Sequence, residues 1–285
     1  MKSIDDIMKI TNAMYLISSS KVKKARKNLS LTEPYFDKSL DTIVSILDRA
    51  HDEKFETFDK RALIEPENRK KAFIVITADK GLCGSYNHNM IKIAEDKLEN
   101  SEDCTFLVIG QIGRMYFKRK SKDNPKIHFD DEFLYTSQEP NLYCAREIAE
   151  LITDRFLDGT YDEVSIIYTK MTSSINMEPK IMPLLPLKRE NFQKDELNSN
   201  TQVYASFMPS VHDVMDRLVP IFLKGVIYSI MVEAFCAEQQ ARMSAMDNAT
   251  TSAKDMLADL SLMYNRARQA SITQEITEVV AGAQS

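Results

Sequence analysis

The stretch Val226–Ala281, VIYSIMVEAFCAEQQARMSAMDNATTSAKDMLADLSLMYNRARQASITQEITEVVA, is a run of 56 residues without a glycine or a proline. At about 1.5 Å of rise per residue, a continuous α-helix over this run measures about 84 Å. Few single domains are that wide, so the helix is expected to project from one. Ile230, Ala234, Ala237, Ala241, Ser244 and Asn248 step by threes and fours along it, as the seam of a coiled coil does. A second frame, Ala249, Ala253, Met256, Leu260, Met263, Ala267 and Ala270, begins one residue later and reads as a stutter that relaxes the supercoil. Alanine at these positions lets a partner axis come close.

A partner is available at the other end of the chain. Met1–Glu33 is also free of glycine and proline, and a second clean stretch follows Pro34 as far as Glu65. Ile7, Ile10, Met14, Ile17, Lys21 and Lys24 step by threes and fours and turn basic at the far end. Both terminal segments are therefore expected to be partners in a coiled coil, the alternative being a helical hairpin packed on the domain core. Residues 1–33 carry seven Lys or Arg against three acids, with Lys21, Lys23, Lys24, Arg26 and Lys27 crowded together, whereas residues 213–285 carry six basic and nine acidic side chains. The basic cluster is either a solvated helix face, worth a few tenths of a kcal/mol in contacts to the acidic helix, or a docking face for an acidic partner.

The breakers concentrate between the two helices: six of the seven glycines and eight of the nine prolines fall from Pro66 to Gly225. Ala72–Thr77 and Thr105–Ile109 are short, β-branched apolar runs that suit buried parallel strands. Asn89–Leu98 has helical periodicity, Asn141–Leu157 reads as a helix, Glu163–Thr169 as a third strand and Lys180–Leu187 as a proline-broken edge. Gln193–Asn200 is a polar surface loop. The fold class is α/β: a small Rossmann-like domain over residues 66–209, a coiled-coil helix with its extension over 1–65, and a coiled-coil helix over 210–285. The breaker-free run Val226–Ala281 contains no glycine, Gly282 lying just past its end.

Composition narrows the function. A net charge of −5 gives no general affinity for nucleic acid. No run approaches the 18 apolar residues of a membrane span, and residues 1–20 hold no signal-peptide core. Cys83, Cys104, Cys144 and Cys236 form no CxxC pair, and His51, His88, His128 and His212 form no HxxxH or HExxH pattern, so neither a disulfide framework nor a metal site is expected. Asp79-Lys80-Gly81-Leu82-Cys83-Gly84-Ser85 lies between the first strand and a helix, where a phosphate loop would sit. It lacks both the GxGxxG and the GxxxxGK spacing, so Asp79, Gly81 and Gly84 read as a structural turn. Cys83 reads as a packed thiol. Arg242, Arg266, Arg268 and Gln269 are polar outliers near the seam, expected at the surface, and the methionines of the long helix are core residues or an adaptable sliding surface.

Three blocks resemble the γ-subunit family of F-type ATP synthases. Gln239–Met246 (QQARMSAM) followed by Tyr264–Glu278 (YNRARQASITQEITE) is similar to its C-terminal signature. Lys9–Met14 (KITNAM) with Ser20–Ala25 (SKVKKA) is similar to its N-terminal elements. Thr77–Gly84 (TADKGLCG) with Asn87 and Asn89 is similar to its central element. Gly84-Ser85 stands where a double glycine is commoner, Met8 stands where glutamine is usual, and the chain begins at Met1-Lys2-Ser3-Ile4 without a short basic stretch common in relatives.

The resemblance implies a non-catalytic central-stalk rotor that uses no cofactor and no metal. Its N- and C-terminal helices would wind into a long antiparallel two-helix coiled coil inside a hexamer of α and β subunits, with the α/β domain against the ε subunit and the c-subunit ring. Proton flow would turn the ring, and the shaft would force the β sites through different conformations. Met14, Lys21, Lys23 and Lys24 match the region facing the acidic lever segment of β. Arg242, Gln269 and Thr273 match the helix–helix and helix–β coupling region, and Ile276–Ser285 matches the tip held in an apolar bearing. The implied location is the cytoplasmic face of a bacterial plasma membrane, reached only through the complex. The alternatives are a small α/β enzyme binding a phosphorylated ligand at Asp79–Ser85, and a coiled-coil scaffold.

Overall fold

The structure, a computed structural model, describes residues 2–49, 54–59, 69–99, 104–124, 127–171, 177–188, 192, 208 and 210–283. Gln193–Asn200 and His51 lie outside them. In chain order the elements are helix α1 (Lys2–Arg49), the short α2 (Glu56–Asp59), strand β1 (Lys71–Ile76), α3 (Tyr86–Glu99), β2 (Cys104–Ile109), α4 (Gln111–Asp123), β3 (Ile127–Phe129), α5 (Leu142–Leu157), β4 (Glu163–Met171), β5 (Met177–Leu185) and α6 (Val211–Ala283). The three-residue β3 and helix α4 are elements that the sequence pattern did not single out.

The sheet order is β3-β2-β1-β4-β5, parallel throughout except for β5, which runs antiparallel on the β4 edge. Both faces of the sheet are covered, which is why the central strands are apolar without interruption. In β1, Ala72, Ile74 and Ile76 enter the core shared with α1, α5 and α6. Phe73 and Val75 enter a second core with Met90 and Ala94 of α3 and Phe117 of α4. Asn141 caps α5 by accepting the Cys144 amide at 2.9 Å. Pro179 and Pro183 of β5 lack the N–H that would extend the sheet further.

The terminal helices pack antiparallel, on a different frame from the one expected for α1. Thr11, Tyr15, Ser18, Val22, Ala25, Leu29, Thr32, Phe36, Ser39, Ile43 and Ile46 follow one unbroken alternation of fours and threes and are buried or half-buried. Ile7, Ile10 and Ile17, the expected seam, are about half exposed or more. The seam at that end is instead made of small and hydroxylated residues that allow close approach. The Thr11 and Thr250 hydroxyls hydrogen-bond across it at 2.7 Å.

The expected stutter in α6 is likewise replaced. Gly225, Ser229, Val232, Cys236, Gln239, Met243, Met246, Thr250, Ala253, Leu257 and Leu260 form one continuous seam, all buried or half-buried. The row Ile230, Ala234, Ala237 and Ala241 belongs to another face: Ala237 and Ala241 pack on Ala78, Cys83 and Tyr86 of the α/β domain. Ser244 and Asn248 are exposed, as are Met256, Met263, Ala267 and Ala270, while Ala249 and Leu260 are half-buried and Ala253 is buried. Two packing partners on two faces thus produced what reads in sequence as one seam changing frame.

Helix α6 is longer than the breaker-free run. It begins at Val211, continues through Pro220 and Gly225, and retains Gly282 in its last turn; its 73 residues reach about 110 Å. Pro34 likewise lies inside α1. Part of α6 is long and apolar enough to cross a bilayer, contrary to the expectation from sequence. More than half of that stretch is buried within the fold, Val219, Leu223, Ile227 and Met231 among it, as in the core helix of a globular domain.

Gly225 lets α6 pack directly against Phe36 of α1. A Cβ there would lie 2.4 Å from both Cγ and Cδ1 of Phe36 and 2.9 Å from its Cβ, atoms near the root of the side chain. Gly225→Ala is expected to gain about 1 kcal/mol in helix propensity and lose about 1–3 kcal/mol to overpacking, for a lower net stability in denaturant unfolding. Combining it with Phe36→Ala should remove that clash, so the second substitution should cost less in the Gly225→Ala background than in the wild type.

Candidate functional site

In open α/β sheets the ligand crevice lies beyond the carboxyl ends of the strands, where the strand order reverses. Here that place is between β1 and β4, and α6 runs through it. The turn after β1 is folded against this helix. Gly84 has φ +58°, and Leu82, exposed, has φ +63°, so the turn uses two left-handed residues to reverse before α3. The Ala78 amide donates to Asn87 Oδ1 at 2.8 Å, and Asn87 Nδ2 donates to Cys83 Sγ at 3.2 Å.

Asp79 organises the loops around the crevice. Its Oδ1 accepts from the Gln111 amide at the start of α4 at 2.9 Å. Its Oδ2 accepts from the Ser137 amide at 2.8 Å and from the Thr136 hydroxyl. The N-terminus of α4, a natural anion site, is thereby taken by a carboxylate of the chain itself. Thr77 secures the same corner: its hydroxyl donates to Ile109 O at 3.0 Å and accepts the Gly113 amide at 3.0 Å. Among the described residues no three of His, Cys, Asp and Glu are grouped so as to hold a metal ion.

Arg242 is buried, not at the surface as its position near the seam led us to expect. Its Nη1 pairs with Glu238 Oε1 at 2.7 Å, and its Nη2 donates to the carbonyls of Lys80 and Gly81 at 3.2 and 3.3 Å. Glu238 also accepts from Gln239 Nε2 at 3.2 Å and from Ser137 Oγ at 3.4 Å. One turn back, Tyr86 OH donates to Ala234 O at 3.2 Å, and the Met171 amide at the end of β4 donates to Glu233 Oε1 at 3.2 Å. Burial pushes the Glu238 carboxyl above the ordinary carboxylate range against the pull of Arg242, and Asp79 adds to the rise. Burial also pushes the Cys83 thiol up, opposed by Arg242.

Met14 and Lys21 of α1 meet Arg242 in one groove of about 160 Å³, together with Ser18, Lys80 and Gln138. Lys23 and Lys24 are exposed, and Gln269 and Thr273 lie far along α6, also exposed, with Thr273 Oγ1 bonded to Gln269 O at 2.8 Å. A wider groove of about 290 Å³ runs from Cys83, Ser85 and Asn89 to Ser244 and Asn248. Glu238, Tyr86 and Ser137 were not singled out in the sequence. Glu238 is one helical turn before Arg242, a spacing that marks an ion pair, but Ser137 carries no such signal.

A family model described as ATP synthase matches residues 1–285. The ATP synthase gamma chain of Ruminiclostridium cellulolyticum is 46% identical over 287 residues, covering 99% of this chain and 95% of its own length. The chain belongs to the ATP synthase gamma chain family. A member from Acetobacterium woodii, described as sodium ion specific, is 35% identical over 298 residues and covers 100% of this chain and 95% of its own. Among solved structures, a chain of the Tetrahymena thermophila mitochondrial ATP synthase central stalk and c ring superposes with a TM-score of 0.60 at 22% identity, over 85% of this chain and 99% of that one. A chain of the Euglena gracilis mitochondrial enzyme gives 0.51 at 14% identity, over 96% and 94%. The gamma chain fold, an α/β domain strapped to a long helix pair, is therefore the fold of this protein.

The raised Glu238 carboxyl gives a pH test of the buried network. The folded chain holds a proton that the unfolded chain releases, so this group's contribution to stability is present below the unfolded value and is lost as pH rises through the folded one. Denaturant unfolding measured between about pH 4 and pH 7 should show less loss of stability with rising pH in Glu238→Gln than in the wild type.

Proposed function

We propose that this chain is the non-catalytic rotor shaft of an F-type ATP synthase, coupling ion-driven rotation of the membrane c ring to conformational change, and so to ATP synthesis or hydrolysis, at the β subunits. The observation that carries this reading is the exposed end of α6. Every residue from Leu262 to Val279 is exposed, and no other described element covers them. This last part of α6, to Ala283, is about 33 Å long. Leu262, Met263, Tyr264, Ile272, Ile276 and Val279 are 46–72% exposed along it. The consecutive trio at 262–264 spans about 200° of helix circumference, so a surrounding sleeve suits this end better than a single partner helix.

The α and β subunits of a catalytic hexamer would provide that sleeve, and the outward row Ile7, Ile10 and Ile17 would face it further down. Met14 and Lys21 at the groove, with Lys23 and Lys24 beside it, form the basic face for an acidic segment of β. Gln269 and Thr273 contact the sleeve nearer the tip. Arg242 forms the floor of the groove. The α/β domain would stay outside the hexamer against the ε subunit and the c ring, placing the chain peripherally on the cytoplasmic face of the plasma membrane. The two helices present unequal faces around the axis. Turning them gives each β subunit different contacts in turn, and only such differential contact can shift a partner's conformational equilibrium.

Binding of a phosphorylated ligand at Asp79–Ser85 has little support, since Asp79 already takes the amide at the start of α4 and α6 packs against the turn. Deleting Thr273–Ser285 should lower ATP-driven ion pumping per ATP hydrolysed by the reconstituted complex. Full coupling in a chain cut at Arg242 would overturn the shaft reading. Tight nucleotide binding to the isolated chain in calorimetry would favour the enzyme reading instead.

A further inference from the structure

We propose that Glu238 and Arg242 form a rotational lock that fixes the α/β domain to α6, with Arg242 a positioning residue inside the chain; this rests on the rotor reading above. In that reading torque enters through the α/β domain and leaves through the helix pair, so the boundary between them must resist swivelling and sliding. Its apolar part, where Ala237 meets Ala78, Cys83 and Tyr86, is non-directional and resists separation more than shear.

The directional contacts lie on successive turns of one α6 face: Tyr86 OH on Ala234 O, Ser137 on Glu238, and Arg242 on the Lys80 and Gly81 carbonyls. From Lys80 the path continues through Asp79 to the Ser137 and Gln111 amides, and so to the start of α4. A chain of polar bonds thus leads from the long helix to the loops that follow β1 and β2. Glu238 is 3% and Arg242 7% exposed, so water is poorly placed to replace a partner that moves. Displacing the guanidinium would strand a buried carboxylate, which makes the contact close to all-or-none. Its fork also spans two carbonyls and a carboxylate at once, a geometry that an ammonium cannot reproduce.

Cys83 reports on the lock. It is buried beneath the loop that Arg242 holds, and the Arg242 charge favours its thiolate. Loss of the charge alone would slow alkylation, whereas release of the loop would speed it. In the isolated full-length chain, with iodoacetamide labelling resolved by mass spectrometry, Arg242→Met should accelerate Cys83 labelling about tenfold or more. Labelling of Cys104, buried in β2, should stay unchanged, and Arg242→Lys should fall between wild type and Arg242→Met. Slower or unchanged labelling of Cys83, or a parallel rise at Cys104 that signals general unfolding, would overturn the lock.

In the assembled complex Arg242→Met should lower ion pumping per ATP hydrolysed, with partial recovery in Arg242→Lys. Full coupling despite a freely labelled Cys83 would overturn its mechanical role. Failure of the wild-type chain to assemble with ATPase α and β subunits would overturn the rotor reading and leave the Cys83 result standing.

Discussion

The close antiparallel approach of α1 and α6 is the constraint on which the rest of the structure depends. Close packing needs small side chains, and the seam supplies them at Thr11, Ser18 and Ala25 on one helix and at Gly225, Ser229, Cys236 and Ala253 on the other. A coiled coil normally gains most from large apolar residues at its seam. Here several of the larger ones, Ile7, Ile10 and Ile17 of α1 and Met256 and Met263 of α6, point outward. The pair is thin at its centre and apolar on its outside, the reverse of a free-standing coil and suited to a rod enclosed by other proteins.

The same long helix fills the place where an open α/β sheet holds its ligand. Strand order, and parallel direction in all but β5, match those of nucleotide-binding sheets, and the crevice is in the usual place. In this chain α6 occupies it, Asp79 takes the α4 N-terminus, and Arg242 takes two carbonyls of the turn. The place is thus filled by groups of the chain itself. In the proposed rotor the domain would serve as a flange on a rod.

Long breaker-free runs made both terminal helices legible, because glycine and proline are costly in helix interiors and their absence over tens of residues is a strong signal. The central strands were legible for a related reason: burial on both faces leaves an uninterrupted apolar run. The seam of α1 was not, since apolarity marks burial only where the burying surface is apolar and roomy. Between two close helices a threonine is favoured over an isoleucine, and Thr11 bonded to Thr250 cannot be read from either segment alone. Pro34 interrupts the first clean stretch and Pro220 precedes the last one, yet both helices continue through them, carried by packing that outweighs the lost hydrogen bond. Of the site, the Asp79–Ser85 turn and Arg242 stood out in sequence. Their meeting did not, because it depends on how α6 crosses the sheet.

A buried ion pair is a weak source of stability, as apolar side chains of similar volume often do as well or better. Glu238 and Arg242 therefore call for a reason other than holding the chain folded. Apolar contacts along a helix repeat from turn to turn and tolerate slippage, whereas a guanidinium fork accepts one position and one orientation. The Thr11–Thr250 bond has the same character on another face of α6. One polar contact sets α1 against α6 and the other sets the α/β domain against α6, so each part is indexed to the same helix. In a rod that converts angle into contact, a fixed angular relation between its parts matters more than the depth of the energy well that holds them.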